Sequence, residues 1–526
     1  MLSLSKHENY VSTIYMTANQ SPLFEPALWK DGRFKILDET LLPWKIEYIE
    51  VSDVSQALRA VKEMKTRAFG QVLTFFYAAA LVARGAKGES CEALRERLAR
   101  LAEQFTEARP TFDFKALAGY FTPWFDGLQK GKEAGSWIEG KIHELIAGIA
   151  QARTERAKIA AELLPNPCRL LTHCNVSGEL VAVANWRREM GKDLRVIATE
   201  TRPYLQGSRL TAWEIAQAGV KVDVIPDSAV AQVMAKGEID AVVVGADRCA
   251  RNGDIINKVG TYPIALVAKE YGVPFHVLVQ DPGSLESGDG VAIEERPSAE
   301  LYHLQGRSLL PQGGHPIEGR YPAFDMTPAA LISRLICFDG SYTPESFREK
   351  FQAGAAVAQA RKKAEPSYLL LYGIPKRSSY AALARLLKTE KCQSFLLPEM
   401  RPELWGLHRV AEGLRRENAP AHLISDNMMG TFFAQGAIQR LYLHYVELGA
   451  NGPVGLCGSL LAAHLARAHR VPVELFGAEA AEASLPDRDV STFMGERVVP
   501  EGVAIYPVER EVIPWSLFKE GKGGGA

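Results

Sequence analysis

Along the first 150 residues, apolar side chains recur at helical spacing with charges between them, over Ser55 to Lys65 and Glu92 to Phe105. Phe34-Lys35-Ile36-Leu37 and Ile46-Glu47-Tyr48-Ile49 break that rhythm and predict a small sheet. Ala152 to Leu164 predicts a long helix leading away from it. From Cys168 the pattern changes. Short apolar runs (Arg169 to Thr172, Arg195 to Ala198, Val222 to Pro226, Ala241 to Gly245, Phe275 to Val279) alternate with helical stretches such as Glu179 to Met190 and Ser208 to Gln217. Strands alternating with helices predict a parallel, doubly wound sheet. No GxGxxG follows the first strand, so no dinucleotide site is indicated.

The chain then repeats itself. Glu200-Thr-Arg-Pro-Tyr-Leu-Gln-Gly207 returns as Glu399-Met-Arg-Pro-Glu-Leu-Trp-Gly406, an offset of 199. At that offset Asp227 matches Asp426, Gly237 matches Gly436, and Asn252-Gly253 matches Asn451-Gly452. Gly306 to Gly313 likewise resembles Gly495 to Gly502. The predicted class is therefore α/β: a mainly helical domain over 1–150, then two tandem Rossmann-like doubly wound domains over 151–340 and 341–520. The Gly-rich tail, Gly521 to Ala526, reads as disordered.

Bulk properties narrow the field. A chain of 526 residues exceeds what one core usually serves. With 47% apolar and 23% charged residues it reads as an ordinary globular protein. A net charge of −1 gives no electrostatic case for nucleic acid or an anionic membrane. Seven scattered Cys, without a CxxC pair, suit neither a disulfide framework nor a structural zinc site. The N-terminus, Met1 to Asn19, lacks an apolar signal core, and the longest apolar stretch, Val72 to Ala83, is too short to span a bilayer. A cytoplasmic location is the expectation.

Four segments gather polar groups at predicted strand ends: Thr172-His-Cys-Asn175; Glu200-Thr-Arg-Pro203 with Gln206; Gly245-Ala-Asp-Arg248; and Asn252-Gly-Asp254 with Asn257-Lys258. In an open parallel sheet, ligands bind at the carboxyl ends of the strands, so all four would meet in one crevice. Each alone has a plainer reading. Cys174 could be a small buried hydrophobe, Asp247 a helix cap, Arg202 an ion-pair partner and His173 a hydrogen-bonded structural residue. Asn257-Lys258 could open a solvated helix.

The matching text, THCN (172–175), ETRPYLQGSRLTAWE (200–214), GADRCARNGD (245–254), NKVGTY (257–262), RPT (109–111) and YPAFDMTP (321–328), resembles the methylthioribose-1-phosphate isomerase family over about residues 25–340. That family is related to ribose-1,5-bisphosphate isomerases and to regulatory subunits of a translation-initiation exchange factor. The resemblance implies Cys174 and Asp247 as the catalytic pair, Arg67, Arg109, Gln206, Asn257 and Lys258 as substrate binders, a sugar phosphate as substrate, and neither cofactor nor metal. A thiolate favoured by nearby cations would be the base, and a carboxylic acid kept neutral by apolar walls the donor. The sequence departs from the family after Arg67, where Ala68-Phe69-Gly70-Gln71 replaces a Gly-Ala-Pro run.

The second α/β unit lacks this set. At the same offset Asp247 falls on Val446, Cys174 on Gly373, and Asn257-Lys258 on Leu456-Cys457. The expectation is a catalytically dead copy that takes a partner's place, an intrachain pseudo-dimer. The alternative for this unit is a ligand site of its own, with Arg401, Asn427 and Asn451 available. The alternative for the whole chain is a non-catalytic sugar-phosphate or nucleotide sensor akin to the exchange-factor subunits.

Overall fold

The computed structural model describes residues 20–110, 112–129, 132–304, 307–308, 318–353, 367–478 and 489–518. Most of Gly306 to Gly313, Met1 to Asn19 and Gly521 to Ala526 lie outside them. A three-stranded antiparallel sheet (Ala27–Lys30, Arg33–Leu37, Tyr48–Val51) opens the chain. Its third strand begins two residues later than the Ile46 start expected from the sequence. Against it packs α1 (Phe69–Arg84), and on α1 in turn pack α2 (Cys91–Ala108) and α3 (Ala134–Leu163). α1 is apolar nearly all round because neighbours cover most of its faces. α3 carries this unit onto the next: Arg153 and Arg156 both donate to the buried carboxylate of Glu179, at 2.8 and 2.9 Å from their Nε atoms.

Next come β1 (Cys168–Thr172), β2 (Leu194–Thr199), β3 (Lys221–Ile225), β4 (Ala241–Gly245) and β5 (Phe275–Leu278). They lie parallel in the order β5-β4-β1-β2-β3. Arg334–Cys337 extends this sheet beyond β5, and Gly340–Tyr342 pairs with it as a hairpin. Val242, Val243 and Val244 are wholly buried, as expected for a strand covered on both faces.

A second sheet is built from β6 (Tyr368–Tyr372), β7 (Ser394–Pro398), β8 (Ala421–Ile424), β9 (Ile438–Tyr445) and β10 (Val473–Gly477), in the order β10-β9-β6-β7-β8. Replacing each strand of the first sheet by the one five places later reproduces this order. The local backbone matches too. Thr201 and Met400 both have positive φ, as do Leu205 and Leu404. Asp227 accepts the N–H groups of Thr201 and Arg202, and Asp426 those of Met400 and Arg401.

The two sheets interlock. Glu318–Gly319, from the chain after the first sheet's core strands, pairs in parallel with β8 of the second. Ala504–Ile505, from the C-terminal stretch, pairs in parallel with β3 of the first. Between the sheets, α4 (Val230–Ala235) and α5 (Thr261–Glu270) face α6 (Met429–Ala434) and α7 (Ser459–His469). Tyr262 and Tyr271 on or next to α5 bond to His469 and His464 of α7, at 2.7 and 2.9 Å. Among the described residues, no helix is long and apolar enough to cross a membrane.

Candidate active site

Cys174 stands two residues past β1, and Asp247 two past its neighbour β4, so both reach the same carboxyl edge. Cys174 holds a left-handed backbone, φ 64°, uncommon for a side chain with a Cβ and costing about 1–3 kcal/mol where it is imposed. Two threonines hold it there. Its N–H donates to Thr201 Oγ1 (2.8 Å), and its carbonyl accepts from Thr211 Oγ1 (2.6 Å). The counterpart of Cys174 is Gly373, also left-handed, φ 90°. Next door, His173 bridges Thr199 Oγ1 and the Val259 carbonyl at 2.6 and 2.9 Å, and burial drops its pKa to about 4. It is a neutral structural residue.

Asp247 does not cap a helix. Its N–H donates to the Ile256 carbonyl (3.0 Å), and the chain continues into the strand Arg248–Cys249. That pairing brings up the strand Ile255–Lys258, where Asn257 and Lys258 are buried rather than solvated. Lys258 donates to the Ala323 carbonyl (3.0 Å), with the rings of Phe324 and Tyr204 at 4.7 and 5.6 Å. Asn257 donates to Thr261 Oγ1 (2.9 Å). Asp325 fixes the following turn by accepting the N–H groups of Gly260 and Tyr262.

The electrostatics couple these groups. Burial pushes the Cys174 thiol up to about 11, against the pull of Lys258 and Arg67 and with Asp247 adding to the push. Burial also raises Asp247, opposed by Lys258 and Arg109. Lys258 is lowered by burial, with Cys174 and Asp247 opposing. Solvent reaches both acids through the crevice mouth, Asp247 being exposed and Cys174 half-buried. Protein crowds them on the other sides, and that crowding sets the direction of the shifts while water softens their size. The cations expected beside the thiol are present, and burial works against them.

Arg67 lies over the ring of Tyr204 at 4.8 Å, and Arg109 sits 3.7 Å from Glu294. Arg67 Nε, Gln206 Oε1 and Glu294 Oε2 are buried without a protein hydrogen-bond partner among the described residues. Buried polar atoms are normally satisfied, so this unspent capacity suits a polar ligand. The loop after Arg67 is shaped by its unusual residues. Phe69 lies on the Arg153 guanidinium at 4.0 Å, and Gln71 donates to the Thr66 carbonyl at 3.0 Å. Tyr204, Glu294 and Phe324 escaped sequence reasoning as site residues. Tyr204 and Phe324 lie inside the motifs quoted above, but only the fold shows their rings beside Lys258. Among the described residues no cluster of three or more His, Cys, Asp or Glu could hold a metal ion.

A family model described as the initiation factor 2 subunit family matches residues 71–344. The chain belongs to this family. A protein of Desulforudis audaxviator named methylthioribose-1-phosphate isomerase is 37% identical over 336 residues, 61% of this chain and 94% of that one. One of the same name from Pelotomaculum thermopropionicum is 36% identical over 60% of this chain and 89% of its own. Among solved structures, the Pyrococcus horikoshii 5-methylthioribose 1-phosphate isomerase aligns with a TM-score of 0.55 and 28% identity, over 64% of this chain and 99% of its own. The structure of the translation initiation factor eIF-2B, subunit delta, from A. fulgidus aligns with a TM-score of 0.54 and 34% identity, over 62% of this chain and 98% of its own. The family match ends at residue 344, before the core strands of the second sheet begin.

In the second sheet's counterpart crevice, Gly373, Val446 and Leu456 stand where the first has Cys174, Asp247 and Lys258. Val446 stands for Asp247, as its N–H bond to the Val454 carbonyl repeats that of Asp247 to Ile256. This pairing also corrects the expected correspondence: the offset falls from 199 to 198 between the paired strands. Asn257 and Lys258 therefore correspond to Gly455 and Leu456, not Leu456 and Cys457. A bridge between Pro375 and Ala478 closes the chain across the ends of β6 and β10.

Proposed function

We propose that the chain is an aldose–ketose isomerase that converts a ribose 1-phosphate modified at C5, methylthioribose 1-phosphate or its 5-deoxy analogue, to the ribulose 1-phosphate. The observation that carries this reading is Cys174 and Asp247 at adjacent strand ends with Lys258 electrostatically coupled to both. A sugar 1-phosphate cannot open its ring unaided, because its anomeric oxygen is esterified. A donor gives a proton to the ring oxygen as the C1–O bond breaks. A base takes the proton from C2 and delivers it to C1, and the C2 hydroxyl proton returns to the donor, leaving the ketone. Asp247 is the donor and Cys174 the base. Transfer of the thiol proton to the neighbouring carboxylate produces both working forms at once, and Lys258 offsets the charge on either. Arg67 and Arg109 offer the phosphate forked contacts, and Lys258, Gln206 and Asn257 complete the binding set.

In this reading the second unit is a degenerate copy that fills the place of a dimer partner within one chain. Support comes from the shared strand order, the exchanged edge strands, and contacts that run both ways between α4–α5 and α6–α7. The loss of the thiol, the carboxylate and the lysine at Gly373, Val446 and Leu456 argues against the same chemistry there. The regulatory alternative draws on the A. fulgidus likeness, the higher in identity of the two structural ones. One assay separates the readings: incubate the purified chain with methylthioribose 1-phosphate, 5-deoxyribose 1-phosphate and ribose 1,5-bisphosphate, and follow the ketose carbonyl by carbon NMR. Turnover of a mono-phosphate supports the isomerase. Binding without turnover of any of the three would turn the case to the sensor.

A further inference from the structure

Two segments carry much of the binding set: the loop from Glu200 to Gln206 and the turn from Asn257 to Gly260. One side chain from the second unit touches both. Asn427 is buried, and its Nδ2 donates to the Arg202 carbonyl at 2.9 Å and to the Val259 carbonyl at 3.2 Å. Carbonyl oxygens only accept, so the group facing them must be the amide NH2. The amide oxygen is fixed on the other side by Ser425 Oγ at 2.6 Å. Asn427 therefore has one orientation and spends both donors on the catalytic unit. The turn is also wedged: a Cβ at Gly260 would lie 2.8 Å from His173 Cε1 and 2.9 Å from Asn427 Cβ. Val259 O is shared with His173, the neighbour of Cys174, so the one carbonyl links the thiol segment, the lysine segment and the second unit.

The other side of the interface is built differently. The counterpart of Asn427 at offset 199 is Ser228, which faces Cys457 Sγ at 3.6 Å. There the Tyr372 hydroxyl, in the place of His173, bonds the Cys457 carbonyl at 2.6 Å. The longer, doubly bonding amide thus faces the side with the catalytic pair, and the short hydroxyl the side without it.

We propose that Asn427 is a positioning residue for the catalytic site, supplied in cis by the second unit: it fixes the Arg202 and Val259 carbonyls and thereby the placement of Gln206, Asn257 and Lys258. The proposal rests on the isomerase reading. The test compares Asn427→Ala and Asn427→Ser with Ser228→Ala, the matching lesion across the interface, in the full chain. Both Asn427 variants should lower kcat/KM, with KM rising, on the order of 10- to 100-fold, the scale of a misplacement near 1 Å. Ser228→Ala should leave both constants as in the wild type. Asn427→Ser, which can reach at most one carbonyl, keeps the test valid if the alanine variant folds poorly. Amide hydrogen exchange of Gly260 and Tyr262, read by mass spectrometry, should speed up in the Asn427 variants and not in Ser228→Ala. Wild-type kinetics and exchange in Asn427→Ser, or equal losses in Ser228→Ala, would overturn the proposal. A wild type without turnover sinks the isomerase reading instead, and the exchange comparison still decides whether Asn427 holds the turn.

Discussion

Arg202 donates from Nε and Nη2 to the two carboxylate oxygens of Glu399, at 2.8 and 2.9 Å, across the boundary between the two sheet units. The mirror contact exists too: Arg401 reaches Glu200, with Nη2 at 2.8 Å from Oε2. Both guanidiniums lie over the ring of Phe493, at 3.8 and 5.4 Å. All four charged side chains are almost fully buried. Leaving one arginine without its carboxylate strands a charge away from water. Glu399→Ala should therefore cost about 3–5 kcal/mol, whereas replacing Arg202 and Glu399 together by Met and Leu should cost less. Thermal unfolding of both variants checks the ordering.

Turnover should depend on one crevice alone. Cys174→Ser and Asp247→Asn should each lower kcat by about 10²–10⁴ with an unchanged far-ultraviolet circular dichroism spectrum. Val446→Ala, the matching position in the second unit, should be kinetically silent. A loss of turnover in Val446→Ala would mean that the second crevice takes part.

The charge balance around Cys174 predicts its reactivity. With its pKa at about 11, the thiol should react slowly with iodoacetamide at pH 8. Asp247 adds to the upward shift, so Asp247→Asn should lower the pKa and speed alkylation. Lys258 opposes it, so Lys258→Met should raise the pKa further and slow alkylation. Site-resolved mass spectrometry distinguishes Cys174 from the other cysteines. Rates moving in the same direction in both variants would refute this electrostatic account.

Several buried carboxyls sit above their ordinary range through burial: Asp325 and Glu511 at about 8, Asp227 and Glu214 at about 7. Each binds its proton more tightly folded than unfolded. The stability it contributes is fully present below its unfolded pKa near 4 and is lost as pH rises through 7–8. The melting temperature should therefore fall as pH rises from 5 to 8. Asp325→Asn, which cannot ionise, should show a shallower fall, measurable by calorimetry at half-unit pH steps.

Much of the architecture was written in the chain. The text Glu200 to Gly207 and its echo at Glu399 announced a second sheet, and both sheets have the same strand order. The exchange of edge strands was not legible, because Glu318–Gly319 and Ala504–Ile505 are two-residue pairings with no hydrophobic period to read. The shift of offset to 198 was equally hidden: one residue missing from a loop leaves no mark until strand pairing counts it. Cys174, Asp247 and Lys258 stood in motifs whose family resemblance implied their roles, and the fold brings them to one sheet edge. Their electrostatic state was not legible, since burial and cations push the thiol in opposite directions and only the packed surroundings say which wins. Asn427 was read as a potential ligand group for its own unit, but it points across the interface.

Carrying both halves on one polypeptide frees them from a constraint that symmetric assemblies cannot escape. In a dimer of identical chains every substitution at the axis arrives twice, and a change useful on one side must be tolerated on the other. Here Asn427 and Ser228 occupy matching places yet differ, as do His173 and Tyr372, and Cys174 and Gly373. Each side of the interface can therefore vary separately, and under the proposed reading one side keeps the chemistry while the other supports it.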